Sequence, residues 1–458
     1  MNGRKTSTRH SAQALTLFCA LALPACGWSN TIACVTNNSQ LVTALNEVQF
    51  TPLTIKVATG NYDLKNTFWH GQLSNGFYTY TSASQLAQIS SGSEILGGYN
   101  NDCSTRSIAV GNTTFTDSGI TDSIVDDGAF PLGDFTLEGV TWSVRNGVWL
   151  LSGFAPFNAK TGSMVLLRRN AFINAPNNGP NILWEQTDDG GSIVRIVENL
   201  FASNAIGSHC ALSVEATGGS PAVQVINNTV VDNSGSGARG ACFDNVNYPP
   251  EGTSGNATYY IYNNIFFGSG SKDLEILDEN RTTQLALLYD NVVGSRVAGT
   301  SPEFETNTQT GDPKLDGNYQ PIQAPVSPVI NTGNNSVPGG LPSVDLAGQP
   351  RLVGSRVDRG AYESTVDFSN VQMVSKHGFD DGSAGTLSAA VANINTNNGG
   401  SIKFNITDGG ACPWVITLGD ELDIAANATI NGYSQIGSST NDLDPGDDAK
   451  LCIIVEAG

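Results

Sequence analysis

The residues of this chain best suited to do chemistry are two acidic pairs and one histidine. Asp188 and Asp189 stand in TDDGG, and His209 follows about one repeat later in GSHC. Carboxyl groups held near one another can divide the acid and base roles in breaking a glycosidic bond, and a histidine can carry the proton. Asp126 and Asp127, in VDDGA, offer the hard oxygen atoms that Ca2+ prefers. Both pairs are also turn formers, because an aspartate beside glycine hydrogen-bonds its own backbone. The turn is the favoured reading at each place. Asp188, Asp189 and His209 stand as catalytic candidates, and Asp126 and Asp127 as candidate ligands for Ca2+, without the spacing of an EF-hand loop. No other cofactor is expected, since the chain carries no CxxC or Cys-His cluster.

The elements that would position these groups are announced by a recurring phrase: VLLRRNAF, VRIVENLF, VQVINNTV, YYIYNNIF and ALLYDNVV. Its asparagines are Asn170, Asn199, Asn228, Asn264 and Asn291, at steps of 29, 29, 36 and 27 residues. Apolar columns flank them. Val165, Val194, Val223, Tyr259 and Ala286 stand five residues before, Leu167, Ile196, Val225, Ile261 and Leu288 three before, and Phe172, Phe201, Val230, Phe266 and Val293 two after. A period of two marks strands with one buried face. The residue before each asparagine is always polar, Arg169, Glu198, Asn227, Asn263 and Asp290, so a corner lies there. Asparagine tolerates positive φ and is expected to turn the chain between two short strands, with stacked corners forming an Asn ladder. The asparagines are thus structural, and the phenylalanines read as stacked core. Trp142, Trp149, Trp184 and Tyr248, outside the shared columns, are the better candidates for stacking on sugar. Such small units bury a core only by stacking, which predicts an all-β parallel β-helix solenoid. SQLVTALNEVQ has helical spacing and is expected to form a short N-terminal capping helix.

Residues 135–295 resemble the right-handed parallel β-helix superfamily, which includes pectate lyases, polygalacturonases and many bacterial surface proteins. DFTLEGVTW resembles the same phrase with Gly139 at the corner, one residue shorter. The Asp188, Asp189 and His209 set is faintly similar to the polygalacturonases, but the Asn-Thr-Asp and Arg-x-Lys of that family are missing. Residues 312–364 resemble the choice-of-anchor Q segment through SPVINTG, the run Gly348-Gln349-Pro350-Arg351, and DRGAYE. That resemblance implies that residues 34–311 are the β-helix and that the segment finishes it. Through TLSAAVANINTNNGGSIKFNI, ITLGDELDIAANATINGYSQIG and LCIIVEAG, residues 365–458 resemble an opening segment of a second β-helix-like module. Because the chain stops where repeats should begin, a truncated piece of a longer surface protein is expected.

A net charge of −20 makes the chain a poor partner for nucleic acid. Arg4, Lys5 and Arg9 precede an apolar run from Ala14 to Ala25, so residues 1–33 read as a signal peptide, and no later stretch suits a transmembrane helix. Leu23-Pro24-Ala25-Cys26 resembles a lipobox, which makes Cys26 a candidate for a lipid anchor; simple secretion is favoured. Beyond it stand Cys34, Cys103, Cys210, Cys242, Cys412 and Cys452. An even set in an exported chain suggests disulfides; neighbours pair most simply, although six cysteines allow fifteen connectivities. The function expected is a secreted or cell-surface bacterial scaffold without catalysis, binding polysaccharide or cell-surface glycan or mediating adhesion. The alternative is a lyase or hydrolase of uronate polymers.

Overall fold

The computed structural model describes residues 31–64, 88–116, 127–131, 133–143, 148–152, 162–174, 182–186, 192–216, 220–245, 247–248, 253–254, 257–278, 285–297, 304–323, 326–365, 370–397, 399–424, 428–439 and 448–458. The apolar columns become three long parallel sheets. The first holds ten strands from Thr31–Val35 to Phe304–Thr306, the second eight from Gly60–Asp63 to Val292–Val293, and the third seven from Gln88–Ile89 to Lys272–Asp278. Successive strands of one chain turn visit the three sheets in order, and each strand pairs with its equivalents one repeat before and after. The arrangement is all-β and consistent with a parallel β-helix.

Register follows the columns. Val165, Val194, Val223, Tyr259 and Ala286 are successive partners in the first sheet. Phe172, Phe201, Val230, Phe266 and Val293 are successive partners in the second. Inside, the rings of Phe172 and Phe201 stack at 4.8 Å. Trp142 joins them, stacked on Phe172 at 6.1 Å, because it pairs with Phe172 in register. It is therefore a buried member of the aromatic column, which removes it from the sugar-stacking candidates. DFTLEGVTW is also not short: Glu138 pairs with Arg168 and Thr141 with Ala171, so Gly139 and Val140 fill the two corner positions.

The corner lies at the expected polar pair, but the positive φ does not fall on the ladder asparagine. The left-handed backbone belongs to the polar residue before each ladder asparagine: Arg169, Glu198, Asn227, Asn263 and Asp290 have φ between 53 and 57°. Gly139 does the same at 74°. The asparagines that follow point inward and are fully buried. Asn199 shows their bonding: its main-chain N–H and Nδ2 both donate to Oδ1 of Asn228, at 2.9 and 3.0 Å, and Nδ2 also donates to the Leu167 carbonyl. The same pattern links Asn170 to Asn199, Asn228 to Asn264 and Asn264 to Asn291. A buried polar column is tolerated because its amides saturate one another and the strand ends. A second column of left-handed corners, Asn174, Ser203, Asp232 and Gly268, follows the second sheet, with Asn204 and Asn233 as a shorter ladder.

The long step between Asn228 and Asn264 leaves this ladder intact. Its extra residues include the short antiparallel pair Asn247–Tyr248 and Thr253–Ser254, and the Ala257 N–H returns to Asn245 Oδ1 at 3.0 Å. The helix Asn38–Glu47, capped by Asn37, packs Leu41, Ala44 and Leu45 into the same core as the first rungs. Disulfides join Cys34 to Cys103, Cys210 to Cys242 and Cys412 to Cys452. Residues 370–458 build a smaller core of their own. Two three-stranded parallel sheets enclose Val374, Ile402, Phe404 and Ile416, and the helix Leu387–Thr396 contributes Leu387, Val391 and Ile394.

Residues 312–364 form a strap along the outside of the second sheet. That sheet is apolar on both faces: Phe172 and Phe201 point in, while Ala171, Leu200, Ala202, Val231, Ile265 and Val292 point out and are buried under Val329, Leu346, Ala361 and Tyr362. Three consecutive strap residues descend three rungs. Arg359 Nη1 donates to the Asn291 carbonyl, the Gly360 N–H to the Asn263 carbonyl, and the Ala361 N–H to Thr229 Oγ1. The close approach requires glycine at 360: its φ is 94°, and a Cβ there would lie 2.6 Å from Ile265 Cδ1. Among the described residues no helix is long and apolar enough to cross a membrane.

Candidate functional site

The residues singled out for chemistry are not brought together in the described structure. Asp188, Asp189 and Asp126 lie outside the described residues, as do the signal segment and Cys26. Asp127 begins the third-sheet strand Asp127–Pro131, of which only the backbone is described, and the same holds for the strands carrying Trp149, Trp184 and Tyr248. His209 is exposed, just before the strand Cys210–Ala216. Cys210, Cys242 and Glu275 have atoms close enough to share an ion, but the two sulfurs are joined in a disulfide and Glu275 pairs with Arg239 at 2.6 Å. A thiolate ligand is therefore lacking there.

Charge instead gathers at the corner between the first and second sheets. Glu138 is buried against Arg106 at 2.8 Å, Arg168 at 2.8 Å and Arg169. Burial alone would raise its carboxyl, but the three guanidinium groups outweigh that and hold it at about 2. Two rungs on, Glu198 is fully buried, and neither of its oxygens accepts a hydrogen bond from the described residues. Burial pushes it up to about 8, against the pull of Arg351 and Arg169. Arg351, itself buried, lies 3.7 Å from Glu198 and 3.8 Å from Glu363, and its Nη2 donates to the carbonyls of Asp358 and Gly360.

The other carboxylates around Arg351 are better provided. Asp358 accepts the N–H groups of Asn331 and Ser364, Glu363 those of Asp358 and Val353, and Asp345 those of Gln349 and Glu363. Burial still raises Asp358, Glu363 and Asp345 above the usual carboxylate range. The cluster shapes the strap, since these carboxylates, N–H groups and Arg351 all belong to it, and it meets the solenoid where Arg351 approaches Glu198 and Asn227 Nδ2 donates to the Asp358 carbonyl. SPVINTG, Arg351 and DRGAYE all contribute to it, which is why these phrases stand out in an otherwise low-signal stretch.

An open groove lies farther along the strap. It has a volume of about 470 Å³, with Val110, Ile173, Leu200 and Tyr362 among its walls. Its rim carries Tyr319 and the amides of Asn174, Asn318 and Gln320, which are exposed. No charged side chain lines it among the described residues. Tyr319 is presented by a tight loop: Asp316 Oδ1 accepts the N–H groups of Asn318 at 2.8 Å and Gln320 at 2.9 Å, and the Tyr319 N–H bonds the Asp316 carbonyl. Tyr319 has φ of 63°, which a bulky side chain rarely adopts, and its hydroxyl bonds Ser203 Oγ. Sequence reasoning did not pick out Tyr319. Its only signal was a tyrosine inside the turn DGNYQ, and the wall opposite comes from residues over a hundred positions away.

The class defined by these features is a long parallel β-solenoid with a docked outer strap. Compared with known proteins, the chain matches no family model, no curated protein and no solved structure.

Proposed function

We propose that this protein is an exported scaffold, secreted or held at the cell surface, that binds glycan without cleaving it. The observation that carries the reading is the groove between strap and second sheet. It combines an aromatic ring, apolar walls and uncharged amides, the complement of a sugar with one apolar face and an edge of hydroxyl groups. The signal-like N-terminus and the disulfide-bonded cysteines favour an oxidising compartment outside the cytoplasm. In this reading the solenoid is right-handed, as crossover connections between parallel strands almost always are. The strap corresponds to the choice-of-anchor Q type segment that its motifs resemble, and residues 365–458 to the start of a second β-helix-like module.

Catalysis is the rival, and one experiment separates the two. The full chain is applied to a glycan array and incubated with pectin and alginate. Retention of a glycan with no new chain ends is the expected outcome. Release of unsaturated or reducing ends that disappears in Asp189→Ala would replace the scaffold by a lyase or hydrolase.

A further inference from the structure

We infer that Tyr319 is the stacking platform of a subsite for a neutral sugar residue at the seam between strap and solenoid. The inference rests on the glycan-binding reading of the same groove and adds to it a ligand class and a specificity-determining residue. Three observations converge.

The first is pre-organisation. Asp316 closes the DGNYQ loop from both sides, since its N–H also donates to the Gln320 carbonyl at 2.8 Å. The bond to Ser203 then pins the far end of the Tyr319 ring to the second corner of the solenoid. A bulky side chain in left-handed backbone is held there by its surroundings, and such strain gathers where a group must be aimed. An aromatic ring fixed in advance loses little freedom when a ligand arrives.

The second is lining. The C–H face of a pyranose needs an apolar plane, which Tyr319 offers over a wall that includes Leu200 and Tyr362, and its hydroxyls need groups that both donate and accept, which Asn174, Asn318 and Gln320 supply. A groove of about 470 Å³ has room for one or two sugar rings rather than a buried polymer.

The third is charge. Asp316 stands in the loop itself, and the Tyr362 phenol is raised first by burial and then by the negative charges of Asp345 and Asp316. Asp232, in the corner column that also holds Ser203 and Asn174, is raised by burial and by Asp312. The lining holds no cation, and of the charged groups beside it Asp232, Asp312 and Asp316 outnumber Lys314, so the seam is net negative. A uronate carboxylate entering it would be repelled, whereas a neutral hexose would not.

The test is titration calorimetry on the full chain with neutral hexasaccharides of glucose, galactose and mannose, and with hexagalacturonate as the charged control. At least one neutral probe is expected to bind saturably and more tightly than hexagalacturonate. Tyr319→Ala should weaken it about tenfold or more, and Tyr319→Phe, which keeps the ring but loses the bond to Ser203, should weaken it distinctly less than Tyr319→Ala. Asn318→Ala alters only an exposed amide and should also weaken binding with an unchanged melting temperature, which keeps the test decisive if Tyr319→Ala does not fold. Neutral binding that neither Tyr319→Ala nor Asn318→Ala moves, or a preference for hexagalacturonate, would overturn the subsite and leave the glycan-binding reading standing. Silence with all probes and on the whole glycan array would overturn both.

Discussion

At the corner between the first two sheets, two adjacent residues divide the work: one bends the chain and the next hydrogen-bonds across rungs. Asn228 shows what the second is worth. Replacing it by alanine strands the Asn199 N–H and takes a donor from the Ile196 carbonyl inside the core, while Asn199 Nδ2 keeps its bonds to the Leu167 and Val197 carbonyls. Each buried orphan costs about 1–3 kcal/mol, so Asn228→Ala should lower unfolding stability by about 3 kcal/mol, read from urea denaturation. Glu198 makes a different prediction. Its carboxyl in the folded chain titrates near 8, above the ordinary glutamate value of 4.5, so the native state holds a proton that the unfolded chain releases. Stability from this group is complete below about 4.5 and declines as pH rises through about 8. Glu198→Gln should therefore flatten the fall in urea midpoint between about pH 5 and about pH 9. Glu138 acts in the opposite window. Held near 2, it contributes stability above the ordinary glutamate range that is lost as pH falls toward 2, so Glu138→Gln should flatten the acid limb instead.

Among the elements, the strap is the one whose docking can be tested by a single methyl group. Gly360→Ala would press a Cβ against Ile265 and Thr229 in a left-handed backbone, a cost of about 2 kcal/mol. Amide exchange at Gly360 and Ala361 should quicken while the amides of Ile196 and Val225 keep their protection. The contrast between strands and strap explains what could be read from sequence. Strand registers were legible because period-two patterning is local and repeats, so Val165, Val194 and Val223 announce one another. The corner was legible from its polar pair, but the left-handed backbone was assigned to the wrong member of it, because VQVINNTV and YYIYNNIF carry asparagine at both positions and only a three-dimensional view separates the turning residue from the bonding one. The strap's docking site was also written in the chain: AFI, LFA, TVV and IFF are, Thr229 apart, apolar without alternation, the mark of strands covered on both faces. What covers them could not be named, because the partner begins far away in sequence. Glu198 and Tyr319 were silent for the same reason, since each acquires its character only from a distant segment.

Over the whole molecule, stability in a solenoid is close to a sum of rungs and nearest-neighbour interfaces, so regions with different cores need not unfold together. Rungs from Val35 to Val293 share one continuous apolar core, and the strap ties several of them from outside. Residues 370–458 depend on a separate, smaller core. In the last of its strands, Ile430 and Val455 pair with the buried Ile402 and Ile416 yet remain 43% and 45% exposed. That module is smaller and gains less from burial for each residue it orders, so its opening free energy should be the lower of the two. Hydrogen exchange followed by mass spectrometry along a urea series provides the measurement. Amides of Gly400–Phe404 and Trp414–Leu418 are expected to lose protection at a lower urea concentration than those of Ile193–Val197 and Ala222–Ile226. Coincident loss in all four strands would mean that the two cores unfold as one cooperative unit, and the nearest-neighbour description would then have to include a coupling between them as large as the difference in their burial.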